Sequence, residues 1–220
     1  MKRDKLIKLI LFCIGLLILR MFMTHKAGFF FLAWNLFLAW LPYMFIKSFD
    51  KVSGTAKKIA MMLICILFLP NAPYIVTDLF HLKKELVAPL WLDTILILSF
   101  ALAGLVFFIL TIQELLVLVK RFRNTQRIHF FSKVFLMLLS AYGVYLGRYL
   151  RFNSWDIISD PFHLAHGMAR SAFHHDHFKE TWGMTFTFAA FLFLIYELYE
   201  ILISSKPNTN EISESTDKSI

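Results

Sequence analysis

The stretch FLPNAPYIVTDLFHL, residues 68–82, continues an apolar run and then breaks it with Pro70 and Pro73. Each proline removes a backbone donor, and its ring clashes with the carbonyl four residues earlier. Asn71 is a good N-cap, and a proline is tolerated in the first turn of a new helix. We therefore predict that the helix kinks at these prolines and resumes as a second half-helix over 72–82.

Four polar side chains follow the kink at helical spacing. Asn71, Tyr74, Asp78 and His81 are separated by three, four and three residues, which places them on one face of a helix. Proline kinks are common in membrane helices, where neighbouring groups satisfy the freed backbone atoms, so the kink alone indicates only structure. The shared polar face favours a site at this level.

The composition is that of a membrane protein. The chain has 220 residues, 58% of them hydrophobic, whereas a soluble domain is about 45–50% apolar. Its formal net charge of +8 lies between apolar runs, where it orients a membrane protein and does not indicate nucleic-acid binding. Cys13 and Cys65 fall inside apolar segments, so neither a disulfide nor a thiol metal site is predicted.

The fold class predicted is all-α, a polytopic membrane bundle of about six transmembrane helices in one domain over residues 1–203. A helix needs about 20 mostly apolar residues to cross a bilayer. Six stretches meet this requirement: Leu6–Met23, Phe29–Ile46, Lys58–Phe80, Trp91–Val119, Ile128–Leu150 and Thr181–Ile203.

The loop charges predict the orientation. Lysine and arginine are concentrated at the N-terminus and in the second and fourth connections, and short basic loops stay cytoplasmic. We therefore expect a multi-pass protein of the cell membrane with both termini in the cytoplasm. Residues 204–220 have no apolar periodicity, which predicts a disordered cytoplasmic tail.

Further polar residues are expected near the outer boundary, at the level of the kink. Gly143 and Gly147 form a GxxxG pair that allows another helix to approach closely. The polar residues that accompany the kink come from three other segments: Asn35, Asp93, Arg148, Arg151, Asn153 and Asp156. Ionisable groups at this depth pair with one another or face a water-filled cavity. Structural ion pairs and a ligand site both remain open.

The stretch PFHLAHGMARSAFHHDHF predicts an interfacial amphipathic helix near residues 162–178. One face carries the basic side chains: His163, His166, Arg170, His174 and His177. Histidines at this spacing can share a metal, sense pH or bind a lipid phosphate. No carboxylate completes a known ligand pattern, so no metal site is predicted and a polar face toward the head groups is favoured.

Four motifs together resemble one family. They are NLFLAW (35–40), the stretch at 68–82, WLD (91–93) and YLGRYLRFNSWD (145–156). The chain is similar, over about residues 30–200, to the bacterial multi-pass membrane proteins of domain of unknown function 1361. The resemblance implies a bacterial cytoplasmic-membrane protein with several helices and no assigned activity.

The hypothesis from the residues is an outward-facing polar pocket that binds an anionic or phosphorylated lipid-type head group. Its expected ligand-binding residues are Asn35, Asn71, Tyr74, Asp78, His81, Asp93, Arg148, Arg151, Asn153 and Asp156. Binding is either an end in itself or part of a membrane-bound transferase or hydrolase, for which Asp78, Asp93 and Asp156 are the candidate catalytic residues. The alternatives are a small-solute or ion transporter and a non-catalytic scaffold.

The partners expected are membrane lipids and a lipid-linked or anionic ligand. No cofactor and no nucleic-acid partner is predicted. The oligomeric state does not follow from these patterns.

Overall fold

The structure is a computed structural model that describes residues 3–83, 88–122, 125–152, 154–173 and 175–204. Within these ranges the chain is helical and contains no strand, so the all-α prediction is confirmed. Four connecting or terminal segments and Asn153 and His174 lie outside the described residues, and the predicted tail lies outside them from residue 205 onward.

The α-helices follow the predicted segments closely. Their bounds are α1 Arg3–Thr24, α2 Phe31–Lys47, α3 Thr55–Phe68, α4 Asn71–Tyr74, α5 Leu90–Phe122, α6 Gln126–Tyr149, α7 Asp156–Ser159, α8 Pro161–Phe173 and α9 His175–Ser204. Two 3-10 segments, Phe49–Lys51 and Ile75–Lys83, complete the described elements.

Five helical stretches are long and apolar enough to cross a membrane: Asp4–Thr24, Thr55–Leu82, Leu90–Phe122, Gln126–Tyr149 and Phe178–Ser204. The remaining predicted span, α2, is apolar but has 17 residues, which gives a length of about 25 Å. A helix of this length is at the short limit for a bilayer of about 30 Å. These helices fit a polytopic bundle and an integral membrane protein.

The centre of the bundle is α5. Its buried side chains surround the helix between Ala103 and Ile112, and it packs against α1, α2, α4, the Ile75–Lys83 segment and α6. A helix that is apolar on all sides is typical of the core of a bundle. The outer helices are asymmetric, because α3 packs chiefly on α2 while α9 packs on α6 and α8.

The predicted interruption of the third span is confirmed: α3 ends at Phe68 and α4 begins at Asn71. The predicted α-helix over 72–82 is wrong in type, since after one α-helical turn the chain continues as the 3-10 helix Ile75–Lys83. A 3-10 run longer than three or four residues is uncommon and often marks a functional or strained segment.

The tight winding begins at the prolines. Pro70 and Pro73 have no amide to donate to the carbonyls four residues back. The amides of Leu69 and Ala72 instead bond the carbonyls three residues back, each at 3.3 Å. The helix thus winds more tightly through the break.

The predicted interfacial helix is shorter than expected. It is present as α8, but it ends at Phe173, and a separate helix begins at His175. The prediction of one helix over 162–178 is therefore wrong at its C-terminal end. The hydroxyl of Tyr142 on α6 donates to the carbonyl of Met168 at 3.1 Å, which ties α8 to the bundle.

Candidate functional site

Polar residues from several segments meet in a cavity of about 1030 Å³. Its walls come from α2, α3, the segment after the break, α6, and the α7–α8 region. Ligand pockets are typically about 300–1,000 Å³, so this cavity is large enough for an extended ligand. Seven of the ten predicted ligand-binding residues line it: Asn35, Asn71, Tyr74, Asp78, His81, Arg148 and Arg151.

Asp78 is the buried acid of this cavity. Its side chain is 1% exposed, and a buried carboxylate is costly unless it is paired and hydrogen-bonded. The side-chain amide of Asn35 donates to Asp78 Oδ2 at 2.9 Å, and Arg148 Nη1 lies 3.5 Å from Oδ1. The pairing of residues from α2, the 3-10 segment and α6 thus stabilises the charge at the break.

Arg148 is held mainly by the backbone of the 3-10 segment. Its Nη2 donates to the carbonyl of Thr77 at 2.7 Å, and its guanidinium carbon lies 5.1 Å from the centre of the Phe80 ring. A 3-10 helix leaves its carbonyls poorly aligned, and a guanidinium has five donors to offer them. Arg148 therefore stabilises the segment and also presents a partly exposed cation to the cavity.

His81 completes this group. Its Nδ1 lies 3.3 Å from the carbonyl oxygen of Asp78 and 3.4 Å from Arg148 Nη2. The ring packs on Phe31 of α2, with centroids 5.1 Å apart. A protonated Nδ1 donates to the carbonyl, whereas an unprotonated Nδ1 accepts from Arg148. In either state the imidazole is 29% exposed and lines the cavity.

Asn71 does not act as the N-cap that we predicted. The residue before α4 is Pro70, and no side chain caps the helix. The amide of Asn71 instead donates to the carbonyl of Phe68 at 3.0 Å and to Ser154 Oγ at 2.9 Å. It therefore supplies a donor to a carbonyl near the break, where the proline ring geometry disturbs the regular ladder.

Three glycines hold the broken segment close to α5 and α6. A Cβ at Gly104 would collide with the carbonyl oxygen of Ala72, and one at Gly143 with the ring of Pro70. A Cβ at Gly147 would lie 3.2 Å from the Tyr74 ring. The predicted GxxxG pair thus allows a close approach, but to the break and not to a regular transmembrane helix.

Arg151 differs from Arg148 in its surroundings. It is exposed, lines the cavity and forms no hydrogen bond or ion pair with any residue that the structure describes. Its φ of 59° lies in the left-handed region, which non-glycine residues rarely adopt. The amides of Leu150 and Phe152 both bond the carbonyl of Leu146 at 3.2 Å, so this conformation ends α6 and turns the chain toward α7.

The structure places Asp93 elsewhere. Asp93 accepts from Arg20 Nε at 2.7 Å, and Arg20 Nη2 lies 3.5 Å from its second oxygen. The pair joins α1 to α5, and the guanidinium of Arg20 covers the ring of Phe29 at 3.9 Å. Sequence patterns missed this pairing, although two ionisable residues in apolar segments indicate that each needs a partner.

The remaining predicted site residues are not brought into the cavity. Asp156 is at the start of α7 and lies 3.4 Å from Ser159 Oγ; it is absent from the described residues that line the cavity. Asn153 lies outside the described residues. Ser154, which the binding prediction omitted, lines the cavity beside Asn71. Its position within the YLGRYLRFNSWD motif was the available signal.

The basic face that was predicted near residues 162–178 is divided between two helices, α8 and α9. His163 and His166 are exposed on α8, and His163 packs edge-on against Phe152 at 5.2 Å. His174 and the side chain of His177 lie outside what the structure describes. Among the described residues, no three metal-type side chains form a cluster.

The cavity has a polar end and an apolar end. The charged and amide groups are gathered around the 3-10 segment and the end of α6, whereas the α3 wall and the inner end of the α6 wall are formed by aliphatic residues: Leu63, Ile64, Ile66, Leu67 and Leu139. A cavity that is polar at one end and apolar at the other is complementary to an amphiphile. Two of the residues at the polar end are arginines, which favour an anionic polar group.

Comparison with known proteins gives one match. No curated protein and no solved structure is detectably similar to the chain. A family model, described as protein of unknown function (DUF1361), matches residues 34–195. That match covers most of the chain and includes the break, α6 and the two cavity arginines, so the chain belongs to the DUF1361 family.

Proposed function

We propose that the polar end of the cavity binds the anionic, phosphate-type head group of a membrane lipid. The charge of the lining carries this proposal. Arg148 and Asp78 compensate each other, whereas Arg151 adds a positive charge that no described residue balances. A phosphate accepts from guanidinium groups in a bidentate manner, and the two arginines are three residues apart at the end of α6.

The expected side of the membrane follows from the loop charges. The basic connections lie at the opposite ends of the helices from the break, and basic loops are retained in the cytoplasm. The head group is therefore proposed to lie in the outer leaflet.

A scaffold role explains only part of this arrangement. An ion pair between Arg148 and Asp78 joins α6 to the broken span, as a scaffold would need. Arg151 contributes nothing to such a pair, and the left-handed conformation by which it ends α6 does not require its charge. The binding hypothesis accounts for both arginines.

Transport of a polar solute is less well supported. The seam between α3 and α6 continues toward the other end of the bundle as a second cavity of about 170 Å³. Ser132 is the polar residue in its lining, and the other lining residues are apolar. An ion or polar solute would lose its hydration there without replacement, which is costly.

A transferase or hydrolase would need an acid–base group within reach of the ligand. The carboxylates of Asp78 and Asp93 are buried, and Asp156 is not in the lining. His81 combines a partly exposed imidazole with a place in the cavity wall. If the head group is also processed, we propose His81 as the acid–base residue.

Binding is tested with purified protein in phosphatidylcholine nanodiscs, titrated with dioleoyl phosphatidate. Loss of one charge-assisted contact costs about 1.5 kcal/mol at an exposed position, so Arg151→Gln should weaken binding roughly tenfold. Arg170→Gln is the matched control, since Arg170 is exposed on α8 but is not part of the lining. Equal losses in the two variants, or no preference of the wild type for phosphatidate, would overturn the proposal.

A further inference from the structure

The apolar part of the cavity forms a groove between α3 and α6. Leu139 and Leu146 lie on the α6 wall, and Leu63 and Leu67 lie on the α3 wall. Leu139 is nine residues before Arg148 on α6, which corresponds to about 13 Å along the helix. The groove therefore extends well below the arginines.

This depth agrees with the thickness of one leaflet. The hydrocarbon core of a bilayer is about 30 Å thick, so one leaflet contributes roughly 15 Å. A ligand whose charged group contacts Arg148 and whose tail reaches Leu139 would extend over most of one leaflet. A small soluble anion would leave this length of groove unfilled.

The groove is open at its side. Leu63 is 62% exposed and Ile64 is 37% exposed, although both belong to the cavity lining. The cause is the packing of α3, which lies chiefly on α2 and leaves its other flank apart from α6. In a bilayer this flank faces lipid, so a chain can enter between α3 and α6 without crossing the polar end.

We infer that the α3–α6 groove holds a hydrocarbon chain of the same anionic amphiphile, which enters sideways from the membrane. The inference rests on the proposed head-group site and specifies its ligand as a phosphorylated lipid, in contrast to a water-soluble phosphate. The charge at one end and the aliphatic walls below it are complementary to such a molecule, and the groove is continuous with the arginine site.

Photo-crosslinking tests the inference with the intact protein. A phosphatidate that carries a diazirine on its acyl chain is irradiated in phosphatidylcholine nanodiscs, and the labelled residues are identified by mass spectrometry. We expect saturable labelling of the groove walls that a twentyfold excess of unlabelled phosphatidate removes. Inorganic phosphate should leave this labelling unchanged.

A bulky side chain in the groove provides the second arm. Leu139→Trp should lower the groove labelling at least fivefold. The matched control is Leu194→Trp on α9, at an apolar position that is 57% exposed and lies outside the lining, and it should have no effect. If Leu139→Trp does not fold, the competition experiment on the wild type decides alone.

The outcomes separate the two levels of the hypothesis. Labelling that is spread evenly over the lipid-facing helices, or that inorganic phosphate removes as effectively as phosphatidate, would overturn the chain site. The head-group site would stand in that case if Arg151→Gln still weakens binding. Failure of phosphatidate to bind would overturn both.

Discussion

Two arginine–aspartate pairs of this bundle have the same chemistry and different surroundings. Arg20 and Asp93 are 1% and 4% exposed, and their closest atoms are 2.7 Å apart. Arg148 is 15% exposed, and its closest contact with Asp78 is 3.5 Å. The first pair is covered by the ring of Phe29, whereas the second lines a cavity.

The difference shows how a membrane protein can use one type of pair in two ways. In the sealed pair, both carboxylate oxygens face the guanidinium, and the pair joins α1 to α5. In the open pair, Asp78 receives its shorter bond from Asn35, and Arg148 gives its shorter bond to a backbone carbonyl. The open cation is thus held in place without a short contact to an anion, which favours ligand binding.

The largest expected effect is at the sealed pair. Arg20→Met leaves Asp93 as an uncompensated buried charge, and breaking a buried pair costs about 3–5 kcal/mol. The free energy of unfolding, measured by SDS titration in mixed micelles, should fall by this amount. The double variant R20M/D93L should recover most of the loss. A double variant as unstable as the single one would contradict the assignment of a purely structural pair.

The open pair should be less sensitive. Arg148→Gln removes the hydrogen bond to the Thr77 carbonyl and the positive charge beside Asp78, whereas the bond from Asn35 to Asp78 remains. A hydrogen bond to a charged group contributes about 1.5–3 kcal/mol. We expect the same SDS titration to show a loss in this range, smaller than that of Arg20→Met. If the order of the two variants is reversed, the distinction between sealed and open pairs fails.

The open pair also depends on the close packing of the break. At Gly104, an alanine would place its Cβ against the backbone carbonyl of Ala72, and such overpacking costs about 1–3 kcal/mol. Gly183→Ala on α9 is the matched control, because nothing lies within 4 Å of its added Cβ. The control should be neutral or slightly stabilising, since alanine favours a helix more than glycine does. Equal effects of the two substitutions would mean that α5 does not fix the break.

The structure of the break shows which of its features could be predicted from the sequence and which could not. The prolines and the spacing of Asn71, Tyr74, Asp78 and His81 are local features, so the break and its polar face could be predicted. The contact that stabilises the segment after the break could not, because Arg148, which donates to the Thr77 carbonyl, comes from α6, a distant part of the chain.

The ion-pair partners that lie on different helices also could not be predicted from the sequence. Asp93 was expected beside the cavity arginines, but the neighbour of α5 at that level is α1, which brings Arg20 to it. Likewise, Glu197 and Glu200 on α9 pair with Lys133 on α6. Spacing along one helix shows which residues share a face, but it does not show which helix lies opposite.

The smallest expected effect is at a third pair, which is exposed. Asp50 accepts from Arg121 Nη1 at 2.7 Å, and this hydrogen bond lowers the pKa of Asp50 below its ordinary 3.8. A lowered pKa adds stability above the ordinary pKa, and this stability is lost as the pH falls through the folded pKa. Exposed pairs contribute little and are screened by salt.

A comparison of thermal unfolding between pH 5 and pH 3 isolates this contribution. The wild type should lose slightly more stability than Asp50→Asn, and added salt should reduce the difference. A difference as large as that at either buried pair would break the order of sealed, open and exposed pairs.

The most direct test of the central claim is to count bound lipid in two double variants. Native mass spectrometry of protein extracted from membranes that contain phosphatidate measures the fraction that retains one anionic lipid. We predict that R20M/D93L retains this lipid as the wild type does, whereas D78N/R148Q loses at least nine-tenths of it. Equal retention in the two variants, or loss in both, would contradict the assignment of the open pair to ligand binding.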